Sequence, residues 1–143
     1  MIALDTNVLA RAVTTALDAD AATEAQQLQA RKLLSAGQAL FVPITVIEEL
    51  AWVLRGAYAM PANEVAALFE DLLVVEHITV DRAPAVGQAI QWYRRGLDFS
   101  DALHLAQSGL CQGLATFDAR FAKAARRLEL EPAVITPGSP GGA

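Results

Sequence analysis

The chain opens Met1-Ile2-Ala3-Leu4-Asp5-Thr6-Asn7. A short apolar run ends on an acid, a hydroxyl and an amide. So brief an apolar run reads as a buried strand, and Asp-Thr-Asn reads as the turn after it. The acid then stands at the carboxyl end of a strand, where open α/β sheets place their ligands. Thr116-Phe117-Asp118 repeats the arrangement late in the chain, with an acid between an apolar strand and a helix. Parallel strands deliver their carboxyl ends to one edge of a sheet, so both acids are expected on that edge.

Strand and helix patterns alternate between these two points. Residues 2–4, 39–42, 77–80, 114–116 and 133–135 read as strands. Helices are expected over 6–13, 22–36, 44–56, 61–72, 81–95, 99–108 and 118–128. Gly37 closes the second helix, Pro61 lies near the first turn of the fourth, and Asp81 is the expected cap of the fifth. Strands separated by helices imply right-handed crossovers and a mainly parallel central sheet covered on both faces, an α/β fold. A polar loop is expected near Asp18 to Ala22. Residues 1–136 read as one domain without internal repeats. Residues 137–143, rich in Pro, Gly and Ser, read as a mobile tail.

The composition narrows the function classes. With 143 residues, 54% of them hydrophobic and 19% charged, the chain is expected to be globular. Charges interrupt every apolar run before about 18 residues, so no membrane span is expected. The N-terminus lacks the basic segment and apolar stretch of a secretory signal. Cys111 is the one cysteine, which excludes a disulfide framework and Cys-based zinc sites and fits a cytoplasmic location. A net charge of −5 argues against holding nucleic acid by bulk positive charge. It does not exclude a nuclease whose acids carry divalent cations.

The acids have local explanations as well as functional ones. Asp5 and Asp118 can cap the helices they precede, and Asp98 can cap the helix containing Asp101. Asp101, in the first turn, also suits the helix dipole. In the functional reading Asp5, Asp101 and Asp118 face one cleft. Glu48 and Glu49 are neighbours on a helix whose apolar face is built from Val46, Ile47, Leu50, Val53 and Leu54. Helical geometry puts Glu49 at the border of that face and Glu48 nearly opposite it, so Glu49 is the expected cleft residue and Glu48 is expected in solvent. Trp52 and Arg55 also lie outward. Thr6, Asn7 and Asp98 would support the acids. His77 and His104 read as satisfied core histidines. Arg11, Arg94, Arg95 and Arg120 are the cations available to a polyanion, with an ordinary solvated charge the first reading of each.

Carboxylates sharing a cleft raise one another's pKa unless cations neutralise them. An all-oxygen ligand set of Asp5, Glu49, Asp101 and Asp118 favours Mg²⁺ or Mn²⁺, and such sites suit phosphodiester hydrolysis by metal-activated water. No Ser-His or Cys-His nucleophile is apparent in the sequence, and it has no Gly-Lys phosphate loop or dinucleotide fingerprint.

The set Leu4-Asp5-Thr6-Asn7, Glu49-Leu50, Asp98-Phe99-Ser100-Asp101-Ala102 and Thr116-Phe117-Asp118 resembles the PIN-domain nucleases. In size and arrangement it is most similar to the VapC-type toxins of bacterial toxin–antitoxin pairs. The resemblance runs from residue 2 to about residue 136. It implies a three-layer α/β/α fold and a Mg²⁺- or Mn²⁺-dependent endoribonuclease. It also implies a homodimer and a VapB-like antitoxin that covers the active cleft. By motif, Asp5, Glu49 and Asp101 match the family's acidic triad, Asp118 its fourth acid, and Thr6 and Asn7 its supporting polar residues. Two other readings compete. A phospho-receiver signalling module has a similar fold and length, but Asp5 is followed by Thr6 rather than by a second acid, and Lys123 falls within a helix. A catalytically inactive PIN-like binding module is the other.

Overall fold

The structure is a computed structural model that describes residues 1–15 and 20–139. Part of the polar loop expected near Asp18, and the last four residues of the expected tail, lie outside the described residues. The chain divides into two compact units, Met1–Ala83 and Pro84–Ala143.

The first unit runs β1 (Ile2–Ala3), α1 (Thr6–Val13), α2 (Ala21–Ser35), β2 (Leu40–Val42), α3 (Ile44–Gly56), α4 (Ala62–Val74) and β3 (Ile78–Val80). Its sheet is parallel in the order β1-β2-β3, with Ile2 opposite Leu40 and Leu40 opposite Ile78. Each parallel step needs a crossover, and the helix pairs α1–α2 and α3–α4 supply them. Leu9, Leu40, Val42, Ile47, Leu50, Leu54, Val65 and Phe69 are buried in this unit.

Local chemistry sets most boundaries. Asp5 caps α1, and Asp20 caps α2 by accepting from the Thr23 amide at 2.8 Å, which lowers its pKa. Gly37 follows α2 with φ +80, a conformation that suits glycine. The N-cap of α3 is Pro43, which has no side chain to offer. Asp81 takes over part of that role: its Oδ2 accepts from the Ile44 amide at 3.4 Å. This corrects the expectation that Asp81 caps the helix after it. That helix begins at Ala83, because Arg82 has φ 51 and interrupts the chain before it.

The second unit holds α5 (Ala83–Arg94, whose first residue belongs to the other unit), α6 (Phe99–Ala106), β4 (Gly113–Ala115), α7 (Ala119–Arg127) and β5 (Ala133–Ile135). Strands β4 and β5 pair in parallel, with α7 as their crossover. Val86, Ile90, Leu103, Leu105 and Phe121 are buried, and Tyr93 meets Phe99 edge to face at 5.4 Å. The strands therefore hydrogen-bond in a set of three and a set of two, where the sequence reading expected one sheet.

Candidate functional site

In the first unit Asp5 follows β1 and caps α1, with Oδ1 accepting from the Thr6 amide at 2.7 Å. The capping reading of Asp5 is therefore correct, and it leaves Oδ2 unused by the cap. Asp5 and Glu49 line one cleft of about 210 Å³, together with Thr6, Asn7, Arg11 and Tyr58. Thr6 is only 5% exposed, and its hydroxyl has no hydrogen-bond partner among the described residues. It is the Thr6 amide, not the hydroxyl, that holds Asp5.

Glu49 is exposed and lines the cleft, whereas Glu48 is half-buried rather than in solvent. Ala51 accounts for the failure of the spacing argument. It is buried along with Val46, Ile47, Leu50 and Leu54, which moves the centre of the buried face to about 130° from either glutamate. Residue spacing thus does not separate the pair; sharing a cleft with Asp5 does. Trp52 projects outward as expected, 79% exposed.

Arg11 is not the ordinary solvated charge that its sequence context suggested. It is half-buried, donates to the Tyr58 hydroxyl at 2.6 Å and to Gln26 Oε1 at 3.2 Å, and lines the cleft of Asp5 and Glu49. Its positive charge thus shares the cleft with the two carboxylates. Sequence reasoning missed Tyr58 altogether, since nothing local marks a tyrosine just beyond the end of α3 as the anchor of a residue on α1.

In the second unit Asp98 caps α6, with Oδ2 accepting from the Asp101 amide at 3.3 Å. Asp118 caps α7: Oδ1 accepts from the amides of Arg120 at 3.0 Å and Phe121 at 3.1 Å, while its own amide donates to Thr116 Oγ1 at 3.0 Å. Asp101 is half-buried, and its pKa is raised by that burial, then by the charges of Asp98 and Asp118; His104 opposes the rise. Asp98 and Asp118 thus both act on the Asp101 carboxyl.

The histidines divide. His77 is half-buried with Nε2 2.7 Å from the Leu34 carbonyl, as a satisfied histidine should be. His104 is exposed, against expectation. The Phe99, Ala102 and Leu103 side chains carry the buried face of α6, and His104 points away from it.

Among the described residues no group of three or more His, Cys, Asp or Glu side chains is disposed to hold a metal ion. The donors still suit one chemically. Mg²⁺ keeps several waters and is held through one or two carboxylates plus substrate phosphates, a demand that the pair Asp5 and Glu49 can meet. No helix among the described residues is long and apolar enough to cross a membrane.

Acids at the carboxyl ends of parallel strands, in units where helices cross between the strands, define an α/β protein with a carboxylate-lined cleft. The PIN domain family matches residues 2–127, and the chain belongs to that family. The match ends before β5. Its α/β class, helices and parallel strands are consistent with the expected three-layer α/β/α fold. PIN domains are generally nucleases, which act on nucleic acid and usually use divalent metal ions. No curated protein matches the chain.

Proposed function

We propose that this PIN-domain protein is a Mg²⁺- or Mn²⁺-dependent endoribonuclease, the VapC-like toxin of a type II toxin–antitoxin pair. In this reading residues 1–136 form the nuclease domain. The protein acts in the cytoplasm as a homodimer, and a VapB-like antitoxin restrains it. The observation that carries the catalytic part is the shared cleft of Asp5 and Glu49, one from a strand end and one from a helix.

Asp5, Glu49 and Asp101 supply carboxylate ligands, and Asp118 supplies a fourth. When bound, a divalent cation lowers the pKa of a water molecule and neutralises charge on the phosphoryl oxygens. Capping and ligation are compatible in these acids. Asp5 and Asp118 each direct a single oxygen, Oδ1, at the helix amides. Those contacts fix the carboxylates before substrate arrives, as preorganisation requires. Thr6 and Asn7 line the Asp5 cleft, and Asp98 orients the first turn that carries Asp101. Arg11, anchored by Tyr58 and Gln26, offers the cleft its cation for a substrate phosphate.

The test is cleavage of a structured RNA with Mg²⁺ or Mn²⁺. Chelation by EDTA should abolish it, and Asp5→Asn and Asp101→Asn should each lower it at least tenfold. Cleavage that survives both EDTA and Asp5→Asn rules out this assignment. An antitoxin-like reading frame immediately upstream supports the toxin role, and copurification of its product would establish the partner.

A further inference from the structure

Helix α7, Ala119–Arg127, reads Ala-Arg-Phe-Ala-Lys-Ala-Ala-Arg-Arg and carries four of the chain's eleven lysines and arginines and no acid. In a chain of net charge −5 this is a marked local concentration. The four cations, Arg120, Lys123, Arg126 and Arg127, are exposed. They fall within an arc of about 120°, and Arg120 and Arg127 lie about 10 Å apart along the axis. The opposite face is spent on the core, since Phe121, Ala122 and Ala125 are buried. Phe117 stands just before the cap of this helix, 82% exposed.

Local stability accounts for only part of this pattern. Arg126 and Arg127, in the last turn, suit the helix dipole. Arg120 does not, because the dipole disfavours a cation in the first turn, and Lys123 lies outside the last turn. A membrane surface is a poor match as well: the apolar face of α7 faces the core and has nothing to insert.

We propose that the outward face of α7, headed by Phe117, binds single-stranded RNA. The proposal rests on the ribonuclease reading and adds to it the surface, beside Asp118, on which the RNA lies. Arg120, Lys123 and Arg127 track the phosphates, and the Phe117 ring stacks on an unpaired base next to Asp118. An exposed ring at this point has no use for a base already stacked within a duplex, so the surface selects unpaired segments.

The test is fluorescence anisotropy of a mixed-sequence single-stranded RNA oligonucleotide in EDTA, which separates binding from metal-dependent cleavage, across 50–200 mM salt. Single strands release counterions with a slope near −0.7 per neutralised phosphate, so Arg120→Gln, Lys123→Gln and Arg127→Gln together should flatten log K against log salt by about two. Arg120→Lys with Arg127→Lys should keep the slope, and so should Lys32→Gln on exposed α2. Phe117→Ala should weaken single-stranded binding about fivefold or more and leave duplex RNA unchanged. Thermal melts of each variant exclude misfolding, and any triple variant that melts early is replaced by the single substitutions. An unchanged affinity and slope in folded variants overturns the proposal, as does an equal loss in Lys32→Gln. Wild-type binding without cleavage would instead reject the nuclease reading and leave this surface standing. Cleavage with indifferent α7 variants would do the reverse.

Discussion

Asp118 can be a helix cap, a metal ligand or both, and two substitutions separate these roles. Asp118→Ala removes the Oδ1 acceptor of the Arg120 and Phe121 amides, at 3.0 and 3.1 Å. Loss of an N-cap acceptor costs about 1 kcal/mol, and these bonds, made at an exposed residue, sit near that centre. For a chain of 143 residues this corresponds to a fall in Tm of about 3–5 °C. Asp118→Asn keeps a side-chain oxygen for both amides, and Asn caps as well as Asp, so its Tm should stay within about 2 °C of wild type. Both variants lose the negative charge. If Asp118 is a ligand, both should lose RNA cleavage at least tenfold, with the deficit shrinking as Mn²⁺ is raised. Calorimetry and a Mn²⁺-titrated cleavage assay, run on the same preparations, read the two roles independently. Full activity in a folded Asp118→Asn would refute the ligand role and leave Asp118 a cap alone. A Tm drop as large in Asn as in Ala would refute the account of its hydrogen bonds.

Two further outcomes follow from the same geometry. The folded-state pKa of Asp101 is raised above 3.8 by burial and by Asp98 and Asp118, so its ionised form is disfavoured by folding. Its contribution to stability is fully present below 3.8 and lost as pH rises through the raised pKa. Asp101→Asn should therefore melt above wild type at pH 7, and the gap should close as the pH approaches 3.8; a gap that widens in acid contradicts the assigned cause. On α3, Glu49→Gln should lower cleavage at least tenfold, whereas Glu48→Gln should leave it within about twofold, since only Glu49 lines the cleft with Asp5. Equal losses in the two, measured as initial rates, would remove the basis for choosing Glu49.

Much of the fold was legible because its signals are local. The bounds of α1 and α3 match the sequence reading residue for residue, since a cap or a proline beside an apolar period sets them within one turn. Strands read as 39–42 and 77–80 each proved one residue shorter, the usual fraying of an element whose end depends on its neighbour. The acids at the strand ends were legible in the same way. What spacing cannot register is a partner from another element. Asp81 serves the helix that follows the neighbouring strand rather than the one that follows its own, because α3 opens on a proline with no side-chain cap. Ala51 joined the buried face of α3, so the spacing that set Glu49 apart from Glu48 no longer did so. His104 was left outside when Phe99, Ala102 and Leu103 took the core side of α6.

By itself, then, the sequence determined the alternation of strands and helices and the caps at Asp5, Asp98 and Asp118, because hydrogen-bonding and hydrophobic period act over a few residues. Only the tertiary structure decided which groups share a cleft. Arg11 became the cation beside Asp5 and Glu49 because Tyr58, 47 residues further along, meets it across the fold. A contact of that range follows from packing, and packing is absent from any single stretch of chain.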